Sequence, residues 1–157
     1  MDTTPISLAG EYYVLAQLAH RGLVGTMTLS NTKGVDILVS NQSLETLYKV
    51  EVKTTEKKPI RESLFGEKPA HCWMMSAKHE RIRDKTLFYC FVALQGPTML
   101  PKFFIAPSSY VADYVRDQHL TWLASRKAEV ATTTLRRFRI PIDDPHKFEN
   151  NWNVFSA

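Results

Sequence analysis

The first run of apolar positions along the chain has the spacing of an amphipathic helix. It starts after Ser7, a residue type that caps helix N-termini, and stops at Gly22, a residue type that ends helices. Between these limits the apolar positions fall three or four residues apart and share one helical face. They are Leu8, Tyr12, Leu15 and Leu18 or Ala19. The pattern therefore predicts a first helix with one buried face.

Three short segments rich in β-branched and aliphatic residues follow this helix. They span residues 24–30, 35–40 and 47–54, and the stretches between them, 31–34 and 41–46, have the composition of turns. An antiparallel meander is the simplest arrangement of three strands that are joined by such short connections.

The rest of the chain predicts a second group of elements. Residues 55–69 are polar and charged, which indicates a mobile loop that is long enough to be functional. After it we predict strands at 87–94, 102–106 and 135–142, a helix at 108–124, and a terminal helix or packed tail at 148–155. The order α-β-β-β, a connection and then β-β-α indicates an α+β (mixed α/β) sandwich. Without a repeat or a linker, we expect one domain over residues 1–157.

The composition narrows the class of protein. A hydrophobic fraction of 44% with 23% charged residues indicates an ordinary globular domain. Cys72 and Cys90 are too few for a disulfide framework and are interpreted as free thiols. The longest apolar run, 87–94, is far shorter than the roughly 20 residues that span a bilayer, and the N-terminus has no apolar signal core. We therefore expect a cytoplasmic protein that has no membrane partner.

Two of the predicted strands, 35–40 and 47–54, hold the candidate chemistry. Side chains alternate between the two faces of a strand. The apolar side chains of both segments share faces that we expect to line the core, while Asp36 lies on the other face of the first segment. Glu51 and Lys53 share the corresponding face of the second segment, so the ammonium group can reach the volume beside the carboxylate.

The loop of this hairpin predicts its register. With residues 41–46 as the loop, Ser40 pairs with Leu47, and the same register places Asp36 directly opposite Glu51. Directly opposed side chains have Cβ atoms roughly 5 Å apart, so the two carboxylates repel each other. A divalent cation between them removes the conflict, and a site with one or two carboxylates and several waters suits Mg²⁺ or Mn²⁺.

Glu11 adds a third acidic side chain. It lies in line with the apolar stripe of the first helix, so it is either tucked at the edge of the core or directed at a partner. A metal cluster on the facing sheet is such a partner. The preceding Gly10 would let the helix approach the sheet closely.

The combination of Asp36, the triplet Glu51-Val52-Lys53 and a preceding helix with Glu11 resembles the PD-(D/E)XK nuclease superfamily. This superfamily includes restriction endonucleases and Holliday-junction resolvases. The position that gives the name its Pro is occupied here by Val35. The resemblance implies a restriction endonuclease-like core of order α-β-β-β-α-β, in which helices flank a central mixed sheet.

The resemblance also implies a role for each residue. Asp36 and Glu51 would bind Mg²⁺ (or Mn²⁺) together with the backbone carbonyl of Val52, and Lys53 would position or activate the attacking water. Glu11 would hold a metal-bound water or a second metal ion. The two residues after the lysine, Thr54 and Thr55, would contact the phosphate. The implied activity is that of a metal-dependent nuclease, with DNA favoured over RNA and an endonuclease geometry.

Basic residues are candidate contacts to a nucleic-acid backbone. The net charge of +4 suits a polyanionic partner, although many proteins without such a partner share it. One basic set lies on the predicted loop and the other surrounds a short predicted helix, and for both sets phosphate binding and an ordinary solvated surface remain equal alternatives. The residues are Lys57, Lys58 and Arg61 on the loop, and Lys78, His79, Arg81, Arg83 and Lys85 around the helix.

Two alternatives compete with the nuclease hypothesis. The first, a zinc site, is disfavoured because the available Cys and His residues lack paired short ligand motifs. The second is a module of nuclease fold that binds nucleic acid or protein without turnover, since a complete acid-acid-lysine set cannot by itself show catalysis. The small size and the resemblance lead us to expect a homodimer. The residues considered for zinc are His71, Cys72, His79 and Cys90.

Overall fold

The chain forms two β-sheets and two α-helices. The computed structural model describes residues 4–29, 34–125 and 133–156. The α+β class with a central mixed sheet flanked by helices, which the sequence predicts, is confirmed.

The two helices lie at opposite ends of the predicted order. Helix α1 spans Thr4–His20 and helix α2 spans Ser108–Ala124. The bounds predicted for α2 are confirmed, whereas the predicted cap Ser7 is wrong because α1 already begins at Thr4. Neither helix is long and apolar enough to cross a membrane.

The strands are grouped into a larger and a smaller sheet. The larger sheet has the order β1-β2-β3-β6-β7, and the smaller sheet has the order β4-β5-β8. Neighbouring strands are antiparallel except β3 and β6, which are parallel, so the larger sheet is mixed. The strands are β1 Val24–Met27, β2 Ile37–Ser40, β3 Leu47–Thr55, β4 Ile60–Glu62, β5 Lys68–Ser76, β6 Leu87–Ala93, β7 Lys102–Pro107 and β8 Leu135–Pro141.

The predicted meander is confirmed, and the predicted register is confirmed over the four residues of β2, whereas Asp36, predicted to lie directly opposite Glu51, precedes the strand and is not part of this ladder. Strands β1, β2 and β3 follow one another as antiparallel neighbours. Ser40 pairs with Leu47, and the pairing continues without a slip to Ile37 and Val50. Because the register is fixed over the whole of β2, the apolar side chains of the hairpin face one core and the polar side chains face away from it.

Two hydrophobic cores lie on opposite faces of the larger sheet. Along β6, Cys90 and Val92 point to the face covered by α1, while Tyr89 and Phe91 point to the face covered by the smaller sheet and α2. These side chains are fully buried, so β6 is covered on both sides, as is usual for a strand with a parallel neighbour.

The connection from β3 to β6 differs from both expectations. The interpretation of residues 55–69 as a mobile loop is wrong, because this stretch contains β4 and the start of β5. The resemblance implies a helix after the third strand, but residues 56–86, all of them described, contain β4, β5 and two short 3₁₀ helices instead. Strand β5 escaped prediction because apolar Met74, on its outward face, hides the inward alternation of His71, Trp73 and Met75.

The C-terminal segment is a packed tail that ends in a short 3₁₀ helix, Trp152–Phe155. Its backbone joins the edge of β7, where the N–H of Ile105 donates to the carbonyl of Phe148 at 2.8 Å. The side chains of Trp152 and Phe155 are buried in the same core as α1. Of the two alternatives left open for residues 148–155, the packed tail is therefore confirmed.

Helix α1 approaches β3 so closely that only a glycine fits at position 10. A Cβ atom there would lie 1.9 Å from Oγ1 and 3.0 Å from Cβ of Thr54. We expect Gly10→Ala to lower the free energy of unfolding by about 1–3 kcal/mol through overpacking, although alanine is favoured over glycine inside helices by about 1 kcal/mol. Chemical denaturation measures the change. Thr54→Ala in the same chain should recover part of the loss, and a Gly10→Ala variant more stable than wild type would contradict the close approach.

Candidate active site

Asp36 immediately precedes strand β2, at the point where β3 extends beyond its neighbour. Its backbone N–H donates to the carbonyl of Val50 at 2.8 Å, and its carboxylate Oδ2 accepts a hydrogen bond from the N–H of Val52 at 2.6 Å. In a regular sheet a backbone carbonyl of the neighbouring strand would take that N–H. The carboxylate of Asp36 therefore occupies the place of the missing strand.

The backbone carbonyl of Val52 points into the same gap. Residues of β3 alternate in the side to which their backbone groups point: the N–H of Lys49 donates towards β6, to Thr86, whereas the backbone groups of Val50 and Val52 face β2 and Asp36. The N–H and C=O of one residue in a strand point to the same side. The expected carbonyl ligand is therefore directed at the expected carboxylate ligand.

Glu51 is buried on the opposite face of the sheet from α1, with only 2% of the residue exposed. Its Oε1 lies 2.6 Å from Nζ of Lys53 and 3.1 Å from Nε2 of His79. Burial opposes ionisation, but the hydrogen bond from His79 and the charge of Lys53 outweigh it and lower the pKa of Glu51 to about 2. The carboxylate is therefore ionised at neutral pH.

The second oxygen of Glu51 has different surroundings. Oε2 is buried and has no hydrogen-bond partner among the described residues. Gly34 lies beside it with φ of +74°, and a Cβ atom at that position would lie 3.5 Å from Oε2. Burial and the neighbouring carboxylate of Glu51 raise the pKa of Tyr89, and the Tyr89 hydroxyl is likewise buried without a partner within hydrogen-bond distance. Buried polar atoms without partners are costly, so these two neighbouring groups are where a ligand or a buried water would be bound.

The other two acidic side chains have pKa shifts of the opposite sign. Burial raises the pKa of Asp36, the hydrogen bond from Val52 offsets part of this effect, and the charge of Glu51 raises the pKa further. Burial and the charge of Asp36 raise the pKa of Glu11. Glu11 therefore lies within electrostatic reach of Asp36, as the sequence predicts. Negative charge on both groups is unfavourable here unless a cation compensates it.

The donors that could hold a metal ion here are all oxygen atoms. Oε2 of Glu51, the carboxylate of Asp36 and the carbonyl of Val52 would make a small set of the kind that Mg²⁺ accepts when waters complete the shell. In the described part of the chain, no group of three or more His, Cys, Asp or Glu side chains is arranged to hold a metal ion. Glu11 therefore suits an outer position, through a water, better than direct binding.

The basic residues predicted to contact nucleic acid divide into surface and buried groups. Lys57, Lys58, Lys78 and Arg81 are exposed. The charge of Lys78 also lowers the pKa of Asp36, so this side chain lies near the acidic cluster. These positions suit contacts to a bound polyanion.

Three other predicted contacts lie elsewhere. His79 is only 2% exposed and contacts Glu51, so it does not project from the surface. The hydroxyl of Thr54 is buried under Gly10, on the α1 face of the sheet. Thr55 is buried, and its hydroxyl accepts a hydrogen bond from the N–H of Lys57 at 3.3 Å.

A local motif in the sequence could have revealed the position of His79. Ser76 and His79 form a capping box at the start of the 3₁₀ helix Ala77–Arg81, with the Ser76 side chain accepting the His79 N–H and the His79 ring accepting the Ser76 N–H. The usual box has Ser or Thr followed three residues later by Glu or Gln. Because histidine replaces Glu or Gln in the last position, the sequence pattern groups His79 with the basic surface residues instead.

Comparisons with known proteins bear on the fold. No family model matches the chain, and no curated protein matches it in sequence. The structure is similar to that of I-Ssp6803I, a bacterial homing endonuclease, with a TM-score of 0.53. The alignment covers 99% of this chain and 92% of that chain at 10% sequence identity. The fold is therefore shared with a nuclease, and the function of the site depends on its own geometry.

The raised pKa of Asp36 predicts a stability gain when its charge is removed. Because the folded pKa lies above the ordinary value of 3.8, the ionised group destabilises the folded chain at neutral pH. Asp36→Asn keeps an oxygen for the N–H of Val52, so we expect Tm to rise by a few degrees at pH 7 in the absence of divalent metal. The gain should shrink as the pH falls through the raised pKa towards 3.8, where the wild-type group is protonated as well.

Thermal unfolding of both proteins between pH 3 and pH 8 measures this difference. Asp117→Asn on the exposed side of α2 is the matched control, and its Tm should stay close to that of wild type. An Asp36→Asn variant that is less stable than wild type at pH 7 would show that the ionised carboxylate stabilises the fold, and it would contradict the raised pKa.

Proposed function

We propose that the chain is a Mg²⁺-dependent nuclease (with Mn²⁺ as a substitute) that hydrolyses phosphodiester bonds, most readily as a DNA endonuclease. The observation that carries this proposal is the buried Oε2 of Glu51, which has no partner among the described residues and belongs to a carboxylate that raises the pKa of Asp36. A shared charge conflict next to a free buried oxygen is the electrostatic signature of a cation site.

Asp36, Glu51 and the carbonyl of Val52 would hold the metal ion. When bound, Mg²⁺ lowers the pKa of a coordinated water and offsets the charge that develops on the phosphate. Glu11, which has a raised pKa of its own, would accept a hydrogen bond from a water on the outer side of Asp36. These assignments agree with those implied by the PD-(D/E)XK resemblance, which we propose as the superfamily of this chain.

Lys53 is placed to act on the substrate. Its Nζ is bonded to Oε1 of Glu51, yet a quarter of the side chain is exposed, so the ammonium lies at the mouth of the site. An ammonium has three donors. The contact with Glu51 uses one, and we assign the others to the attacking water and to a non-bridging oxygen of the scissile phosphate. This contact stabilises charge in the transition state, a role worth roughly 10²–10³-fold in rate in comparable sites.

The choice of DNA, the assembly and the compartment are also proposals. DNA is favoured over RNA because the protein of similar fold is a homing endonuclease. A homodimer is proposed from the small size of the chain, and sedimentation or light scattering tests it. A cytoplasmic location agrees with two free cysteines, of which Cys90 is fully buried.

Cleavage assays with matched lysine variants test the catalytic assignment. Lys49 and Lys53 share one face of β3, but Nζ of Lys49 pairs with Asp84 at 2.7 Å and not with Glu51. We expect Lys53→Met to reduce cleavage of plasmid or branched DNA by about 10²–10³-fold, and Lys49→Met to change it little. Asp36→Asn should abolish cleavage, and so should EDTA.

The same assay separates the enzyme from the competing binding module. RNA, Mg²⁺ and Mn²⁺ are included as separate conditions, and circular dichroism checks that every variant is folded. Cleavage that persists in folded Asp36→Asn, or in EDTA, would contradict the proposal. Binding of nucleic acid without cleavage in either metal would support the non-catalytic module.

The exposed basic residues should contribute to nucleic-acid affinity through phosphate contacts. In an Asp36→Asn background, which prevents cleavage, we expect Lys78→Ala to weaken DNA binding at all sequences and to reduce the slope of log K against log salt by about 1. Fluorescence anisotropy over a range of salt concentrations measures the slope. Lys68→Ala is the control, since Lys68 pairs with Asp143 on the exposed part of the smaller sheet. Equal slopes for the two variants would remove Lys78 from the interface.

A further inference from the structure

His79 is a buried side chain that the proposed reaction does not use, and it contacts the proposed metal ligand directly. It lies 28 residues after Glu51 in sequence, and its Nε2 is 3.1 Å from Oε1. Both side chains are 3% exposed. The ring of Tyr89 packs edge-on against the imidazole with centroids 5.8 Å apart. The contact is therefore enclosed by protein and cannot be an incidental surface ion pair.

The capping box fixes which ring nitrogen faces Glu51. The backbone N–H and the carbonyl oxygen of Ser76 both lie 3.0 Å from Nδ1, which holds the ring with Nε2 towards Glu51. Because an ionised carboxylate can only accept a hydrogen bond, the contact of Nε2 with Oε1 at 3.1 Å requires a proton on Nε2. A short helix cap thus orients a side chain in the site.

The two oxygens of Glu51 are made unequal by this arrangement. Oε1 accepts hydrogen bonds from Nζ of Lys53 and Nε2 of His79, whereas Oε2 accepts none from the described residues. The terminal torsion of a glutamate has a broad, roughly two-fold preference and does not select an oxygen by itself. Two donors on one oxygen select the rotation, and the free oxygen is then directed at the gap beside Gly34.

We propose that His79 is a positioning residue that holds the Glu51 carboxylate so that Oε2 alone is offered to the divalent cation. The inference rests on the proposed metal-dependent function and deepens it. Residues that hydrogen-bond a metal ligand from behind orient it before the metal arrives, and their loss typically weakens metal binding by about 10–100-fold. His79 reaches the site from the connection between β3 and β6, outside the strands that supply the ligands.

A pair of substitutions of similar size isolates the hydrogen bond. His79→Gln keeps an N–H donor at a position close to Nε2, whereas His79→Met fills the volume without any donor. Titration with Mn²⁺, followed by calorimetry or by the electron paramagnetic resonance of free Mn²⁺, gives the affinity without reference to cleavage. We expect His79→Met to weaken Mn²⁺ binding by about 10–100-fold and His79→Gln to remain within a few-fold of wild type.

A control histidine and a reference variant complete the experiment. His71 is also buried but packs between Trp73 and Phe104, so His71→Met should leave the Mn²⁺ affinity unchanged. Asp36→Asn reports on the metal site itself. If Asp36→Asn weakens Mn²⁺ binding but folded His79→Met binds within two-fold of wild type, the role of His79 is overturned and the metal site stands. If wild type shows no binding that depends on Asp36, both proposals fail.

A spectroscopic measurement on wild type does not depend on the folding of any variant. Nitrogen-15 spectra of the histidine rings distinguish the two neutral tautomers. The hydrogen bond to Glu51 requires a proton of His79 on Nε2. A signal that places it on Nδ1 would show that the ring does not donate to Glu51, and the proposed positioning would be wrong.

Discussion

The site depends on one requirement: every backbone N–H that is buried in the sheet must find an acceptor. Strand β3 continues to Thr55, but its neighbour β2 begins only at Ile37, so the N–H of Val52 has no strand opposite it. The carboxylate of Asp36 fills this place at 2.6 Å. The same contact holds an acid beside Glu51 and leaves the carbonyl of Val52 facing the gap. The requirement that the N–H of Val52 be hydrogen-bonded thus fixes the position of the Asp36 carboxylate.

The electrostatics of this cluster assign different tasks to its acids. Glu51 has two donors on one oxygen and a pKa of about 2, so it is ionised in a fixed orientation. Asp36 and Glu11 have raised pKa values because burial opposes their charge, and because Glu51 repels Asp36 and Asp36 repels Glu11. A cation held by the proposed ligands would offset the repulsion at Asp36 and Glu11, and it would need the ionised carboxylate of Glu51. The ionised carboxylates of Asp36 and Glu11 lower the free energy of unfolding, as is common for residues kept for function.

The hairpin could be read from the sequence because its information is local. A loop over residues 41–46 sets the register of Ile37–Ser40 on β3. Asp36 lies just before β2, where its carboxylate accepts the N–H of Val52, so alternation along the strand does not describe its position. Gly10, next to Glu11, likewise predicts the close approach of α1 to the sheet from neighbouring residues alone. His79 could not be placed in this way, since its contact with Glu51 spans 28 residues and passes through a connection whose strands were not predicted. Periodicity reports on faces of single elements, not on which distant elements meet.

The connection between β3 and β6 explains why the site and the basic surface lie together. Parallel neighbours require a long crossover, which is usually a helix. Here the crossover supplies β4 and β5, two of the three strands of the smaller sheet, which covers the larger sheet opposite α1. The 3₁₀ helix Ala77–Arg81 follows β5 in this crossover. Successive residues of that short helix point in different directions, so His79 enters the core to reach Glu51 while Lys78 stays exposed near Asp36. One turn of backbone thus places one side chain against a proposed metal ligand inside the protein and another, positively charged side chain on the surface.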